Sequence, residues 1–113
     1  MNRSQKNCNP GNLLYAKQRE AIGVDDKGFA VFPNDPAGWR ALVNQINLDQ
    51  TRGLAIGDFI RKYAPPIEND TDAYLGFVLK GLRADPEDRL DFYSKYALAG
   101  LIAAREGYLA KGA

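Results

Sequence analysis

Apolar side chains recur three and four positions apart through most of the chain beyond residue 35, and that spacing predicts helices. Trp39, Leu42, Val43 and Ile46 stand at i, i+3, i+4 and i+7, which puts them on one helical face. Asp35 and Pro36 just ahead of them supply an N-cap and a first-turn proline, and Gly53 ends the segment. Ile56, Phe59, Ile60 and Tyr63 repeat the spacing in a shorter helix. Pro65 and Pro66 stop it, because the residue before a proline is pushed out of the helical region. Asn69 with Asp72 three positions on makes a capping-box-like start for a third helix, whose stripe is Tyr74, Phe77, Val78 and Leu82. Asp85-Pro86-Glu87 opens a last segment, acidic at its start as the helix dipole favours. Its helical start lies between Asp85 and Asp91, and its stripe of Leu90, Tyr93, Ala97, Leu101 and Ala104 runs to Gly107.

The pattern differs near the N-terminus. The stretch from Gly28 to Pro33 alternates Phe29 and Val31 against Ala30 and Phe32, which predicts one short strand, paired across the intervening loop with residues 12–16. Residues 1–8 are polar and read as a flexible arm, tied down where the Asn-Pro-Gly-Asn turn of residues 9–12 docks. The expected fold is therefore mainly α, in the α+β sense. It has four or five helices and one short β-hairpin near the N-terminus, with residues 9–113 as a single globular domain.

Composition narrows the function classes. With 113 residues the chain can bury one modest core, and 45% hydrophobic with 26% charged residues excludes a disordered or collagen-like chain. Fifteen basic against fourteen acidic residues leave a net charge of +1, so no dominant phosphate-binding footprint exists. Arg3, Lys6, Lys17 and Arg19 cluster only enough for weak polyanion contact, and nucleic acid is not an expected partner. Cys8 is the only cysteine, so no internal disulfide forms, which suits a cytosolic origin. Histidine is absent, which removes the Ser-His-Asp and Cys-His nucleophile systems and the commonest zinc ligand. No metal or cofactor is expected. The first residues carry no apolar stretch and the chain no long apolar run, so neither a signal peptide nor a membrane segment is expected.

Three stretches are richer in polar groups than their structural duties require. In Asn-Pro-Gly-Asn, Pro10 fixes its backbone and Gly11 permits a positive φ, so a type II turn explains both. Asn9 and Asn12 bracket it with amides able to bond a sugar or a peptide carbonyl. Residues 63–74 hold Glu68, Asn69, Asp70, Thr71 and Asp72 after the Pro-Pro break, one acid more than a cap needs. They lack the ligand spacing and turn glycine of a calcium loop. In residues 101–112 an amphipathic helix ends at Arg105-Glu106-Gly107. A carboxylate there opposes the helix dipole, which favours the protonated form that a general acid needs, whereas a surface Glu paired with Arg105 or Lys111 does nothing chemical.

Four blocks in order carry a resemblance: Asn-Pro-Gly-Asn-Leu-Leu-Tyr, then residues 28–42, then residues 58–78 with Tyr-Ala-Pro-Pro-Ile-Glu-Asn-Asp-Thr, and finally Leu-Ile-Ala-Ala-Arg-Glu-Gly. Together, over residues 9 to about 107, they resemble a family of small domains of tailed and tailless phages and of prophages, known as phage structural or virion proteins. Members of that family typically begin Asn-Asn-Pro-Gly-Asn-Ile-Arg; here Cys8 replaces the first Asn and Leu14 stands where Arg is common. The first block also resembles the Asn-Leu-Phe-Gly-Ile-Lys stretch of peptidoglycan glucosaminidases. In those enzymes and in lysozyme-like folds the acid is a Glu that closes a helix before a small residue, as Glu106-Gly107 does here. Because Glu106 follows the hairpin, the resemblance implies a permuted order.

The resemblance implies a virion-associated or lysis-related domain, made in the bacterial host cytoplasm during assembly and then carried in the virion. Its partner is peptidoglycan or other virion proteins. In the enzymatic form it is a lysozyme-like glycoside hydrolase or lytic transglycosylase, with Glu106 as general acid and Glu68 or Asp70 as a second carboxylate about 5 to 10 Å away. Asn9, Asn12, Asn69 and Tyr74 then hold the sugar. The alternative is a non-enzymatic structural or accessory protein that presents an assembly surface. Whether the three polar stretches meet separates the two.

Overall fold

The computed structural model describes residues 1–67 and 69–109. It contains five helices, α1 (Arg3–Lys6), α2 (Asp35–Thr51), α3 (Ile56–Tyr63), α4 (Thr71–Leu82) and α5 (Lys95–Arg105), one 3-10 turn (Leu90–Phe92) and a two-stranded sheet, β1 (Gly23–Val24) and β2 (Ala30–Val31). The fold class is mainly α with one short hairpin, as expected. Its described residues fall into two compact units, residues 1–45 with 102–109 and residues 46–101.

In the first unit β1 and β2 pair antiparallel, Gly23 opposite Val31 and Val24 opposite Ala30. The strand expected at residues 28–33 thus exists, but its sheet partner is Gly23–Val24; residues 12–16 contribute one bridge, Leu14 to Phe29. Asp25 holds the hairpin loop. Its carboxylate accepts the backbone N–H groups of Lys27 and Phe29 at 2.9 Å each and the Asn7 amide at 2.9 Å, and it pairs with Arg3 at 3.3 Å. Burial pushes the Asp25 carboxyl up, but these donors and the Arg3 charge outweigh it and hold the group below the usual carboxylate range. Ala30, Phe32 and Ala37 form a buried cluster against which Cys8, Ala21 and Ala41 pack.

The polar N-terminal residues, expected as a flexible arm, carry α1. Asn2 caps it through a capping box with Gln5, and Ser4 is fully buried. The Asn2 side chain reaches the C=O of Gly107 at 2.7 Å, so the start of the chain is tied to its far end.

In the second unit Ile56, Phe59 and Ile60 of α3 and Tyr74 and Val78 of α4 are buried, as their spacing predicts. Phe59, Tyr63 and Tyr74 stack in a run with centroid spacings of 5.6 and 6.5 Å. Ala55 precedes α3 and has no side chain to cap it. The orphan N–H groups of Ile56 and Gly57 go instead to the C=O of Asp88 and Pro86, both at 2.9 Å. This explains why Asp85-Pro86-Glu87 does not open a helix: its backbone is engaged as the cap of α3. Ser94, whose hydroxyl accepts from the N–H of Tyr96 and Ala97, starts α5 instead. The stripe drawn from Leu90 was therefore out of phase, because Tyr93 is extended. Ala97 and Ala104 are exposed, and α5 buries Leu98, Ala99, Ile102 and Ala103.

Two glycines give opposite expectations. A Cβ on Gly38, in the first turns of α2, would lie 1.9 Å from the Cys8 carbonyl oxygen and 2.8 Å from Pro10 Cδ, whereas one on Gly76 in α4 meets nothing within 4 Å. Gly38→Ala should lower stability by about 3 kcal/mol or more, since backbone must move. Gly76→Ala should raise it by about 0.5 to 1 kcal/mol, since alanine is the better helix former. Urea denaturation of the two variants checks both signs.

Candidate functional site

The Asn-Pro-Gly-Asn stretch closes a four-residue turn, with the N–H of Asn12 donating to the C=O of Asn9 at 3.0 Å. The positive backbone angles fall at the two ends, Cys8 at φ 49° and Asn12 at φ 46°. Asn visits this left-handed region readily and Cys does not, so the backbone at Cys8 is the more strained of the two. Asn9, expected to hold a sugar, is fully buried. Its Nδ2 donates to the C=O of Leu13 at 3.0 Å and of Ala30 at 2.9 Å, and its Oδ1 accepts the N–H of Leu13 at 3.0 Å. This is a correction: the amide joins the turn to β2 and is spent on backbone.

Glu106 and Asn12 do meet. Asn12 Nδ2 donates to Glu106 Oε1 at 3.0 Å, and both residues are half-buried. Glu106 owes its position to the way α5 ends. Gly107 takes φ 82°, the N–H of Gly107 bonds the C=O of Ala104 at 3.2 Å, and that of Tyr108 bonds the C=O of Ala103 at 3.0 Å. That pair of bonds is a Schellman closure, with Glu106 as the last residue before the left-handed glycine. The carbonyls beyond it are covered by α1 and its cap. Ser4 Oγ donates to Glu106 O at 3.4 Å, Asn2 Nδ2 to Gly107 O at 2.7 Å and Gln5 Nε2 to Tyr108 O at 3.1 Å. Asn12 Oδ1 is buried with no hydrogen-bond partner.

Tyr108, two residues past Glu106, donates its hydroxyl to Asp35 Oδ1 at the start of α2. Its ring meets Trp39 edge to face, with centroids 5.6 Å apart. Burial, and then the hydrogen bond to Asp35, pushes the phenol well above the usual tyrosine range. Burial also pushes the Cys8 thiol up, reinforced by the Asp35 charge and a hydrogen bond to it, so Cys8 is a poor nucleophile. Asp35 was read as the N-cap of its helix. That duty belongs to Asn34, whose Oδ1 accepts the N–H of Ala37 at 3.0 Å, which leaves Asp35 for Tyr108. The signal was present in the sequence: Asn34-Asp35 puts two cap-competent residues before Pro36, one more than a cap uses.

The remaining candidates lie in the other unit. Asp70, expected as a second carboxylate, accepts the N–H of Ala73 at 3.1 Å and is the N-cap of α4, one residue later than the cap expected at Asn69. Asn69 donates to the C=O of Pro65 at 3.4 Å. Tyr74, expected to contact sugar, is 2% exposed and packs against Tyr63, so its role is in the core. Glu68 lies outside the described residues. Among the described candidates, Asn12 and Glu106 are joined to each other by a side-chain hydrogen bond.

Among the described residues no group of three or more Cys, Asp or Glu side chains is placed to hold a metal ion, and no helix is long and apolar enough to cross a membrane. What the first unit assembles is one carboxyl group steadied by an amide, near in sequence to an aromatic pair that carries a second carboxylate.

The raised Tyr108 phenol fixes a pH dependence. A phenol whose folded value exceeds its unfolded value stabilises the fold fully below the ordinary value of 10.0, and that contribution is lost as the pH rises above it. Cys8 and Tyr93 shift in the same direction, Tyr93 mainly through its bond to Asp88, so the alkaline loss is shared. Tyr108→Phe should lower stability at neutral pH and make its decline above pH 10.0 shallower than in wild type. Urea midpoints across that range measure it, and parallel declines would remove Tyr108 from the account.

No family model and no curated protein sequence matches the chain.

Proposed function

We propose that the chain is a phage-derived, virion-associated or lysis-related domain that acts on the glycan strands of peptidoglycan, with Glu106 as its general acid. The observation that carries this reading is the 3.0 Å bond from Asn12, in the Asn-Pro-Gly-Asn turn, to the carboxyl group that closes α5. A helix-closing Glu beside a turn and a hairpin is what the resemblance to peptidoglycan glucosaminidases implies in permuted order.

The chemistry follows from the donor set. A glycosidic oxygen leaves only when protonated, and a positioned carboxyl group supplies that proton. One carboxyl group suffices where the substrate itself supplies the nucleophile, its own hydroxyl or acetamido group attacking the anomeric carbon. Glu106 then gives its proton to the leaving oxygen and takes one back, from the attacking hydroxyl or, in the acetamido case, from the water that opens the resulting oxazolinium ring. The proton count balances with one carboxyl group.

A non-enzymatic structural role has its own support. Asn2, Ser4 and Gln5 already bind the carbonyls around Glu106, so Asn12 is explained equally well as one more tie on the end of α5. Release of soluble muropeptides from purified peptidoglycan separates the two. Wild type should release them, and Glu106→Gln should do so at least about 100-fold more slowly, the usual worth of a general acid. Equal release by both would remove Glu106, and no release by either would leave the assembly role.

A further inference from the structure

We propose that Trp39, Tyr108 and Asp35 form a sugar-binding subsite for an N-acetylhexosamine unit of the same glycan. The inference rests on the glycan-directed reading of Glu106 and names what holds the chain that Glu106 would act on. Three features support it. The first is the aromatic pair, whose rings meet edge to face with centroids 5.6 Å apart. Both rings are half-buried, so they are neither core nor fully solvated. The second is Asp35, which is exposed and relieved of capping by Asn34. A carboxylate has about four lone-pair sites. Asp35 accepts the Tyr108 hydroxyl, with capacity left for a sugar hydroxyl. The third is sequence position: Tyr108 follows Glu106 by two residues through the Gly107 closure, so the backbone that sets the acid also sets the aromatic ring.

The chemical class follows from the combination. A pyranose offers a C–H face to an aromatic ring and hydroxyls to a carboxylate, and a subsite of two rings with one acid matches both. A cationic side chain would use both the acid and the ring faces, so the choice of a sugar rests on the glycan-directed reading of Glu106. An anionic ligand would be repelled by Asp35.

Trp39 is the only tryptophan, so its fluorescence reports on this place alone. The probe is the trimer of β-1,4-linked N-acetylglucosamine, titrated into the full chain with far-UV circular dichroism confirming that each variant is folded. Wild type should show a saturable change. Asp35→Asn and Tyr108→Phe should each weaken binding about tenfold, the loss expected when a charge-assisted bond or its positioning partner goes. Phe92→Ala removes an exposed aromatic of residues 46–101 and should bind as wild type. No Trp39 change in wild type, wild-type affinity in both Asp35→Asn and Tyr108→Phe, or loss of binding in Phe92→Ala would overturn the subsite. Saturable binding without muropeptide release keeps the subsite and removes the catalytic reading of Glu106, while release without a Trp39 change does the reverse.

Discussion

The Asn9 side chain donates to the carbonyls of Leu13 and Ala30 and accepts the N–H of Leu13, all inside the protein. One amide serves three backbone groups, the C=O of Leu13 accepting the N–H of Ala30 as well, and leaving a buried group unpaired costs about 1 to 3 kcal/mol. No other side chain of similar size offers two donors and an acceptor in this geometry, since aspartate would face two carbonyls with oxygen. The amide fixes the turn against β2, and the turn fixes the rest. The chain enters through Cys8 and leaves through Asn12 at positive φ, and α2 comes so close to the Cys8 carbonyl that Gly38 admits no side chain.

Asn12 inherits its position from that turn, and Glu106 inherits its own from the Schellman closure of α5. Each half of the pair is set by backbone geometry before the side chains meet. α1 adds a third constraint, because Asn2, Ser4 and Gln5 bind the carbonyls of Gly107, Glu106 and Tyr108 in turn. Under the proposed reading, a carboxyl group steadied by Asn12 would lose little orientational freedom on donating its proton.

Much of the fold was legible because it is periodic or punctuated. The stripes of α2 and α3 and the Pro-Pro stop could be read from spacing alone, and Glu106 was marked by the Glu-Gly helix end. Elsewhere local signals had competing uses. Asp85-Pro86-Glu87 looks like a helix start, but the C=O of Pro86 and that of Asp88 beyond it cap α3, and Tyr93 is extended, which shifts the phase of α5. Asn9 and Asn12 are the same residue type three positions apart; one serves the backbone and the other reaches Glu106, a difference decided by Leu13 and Ala30 and invisible in the turn itself. Tyr108 and Asp35 are 73 positions apart, and no periodicity links them.

The central claim is that the turn at Asn12 and the end of α5 at Glu106 form one glycan-directed site. The most direct measurement is backbone amide chemical-shift mapping of Glu106→Gln during titration with soluble, uncrosslinked peptidoglycan glycan chains, which that variant should bind without cutting. The account predicts shifts concentrated at Asn12, Leu13, Trp39 and residues 105–108. Shifts confined to residues 46–101, or none at saturating glycan, would contradict it.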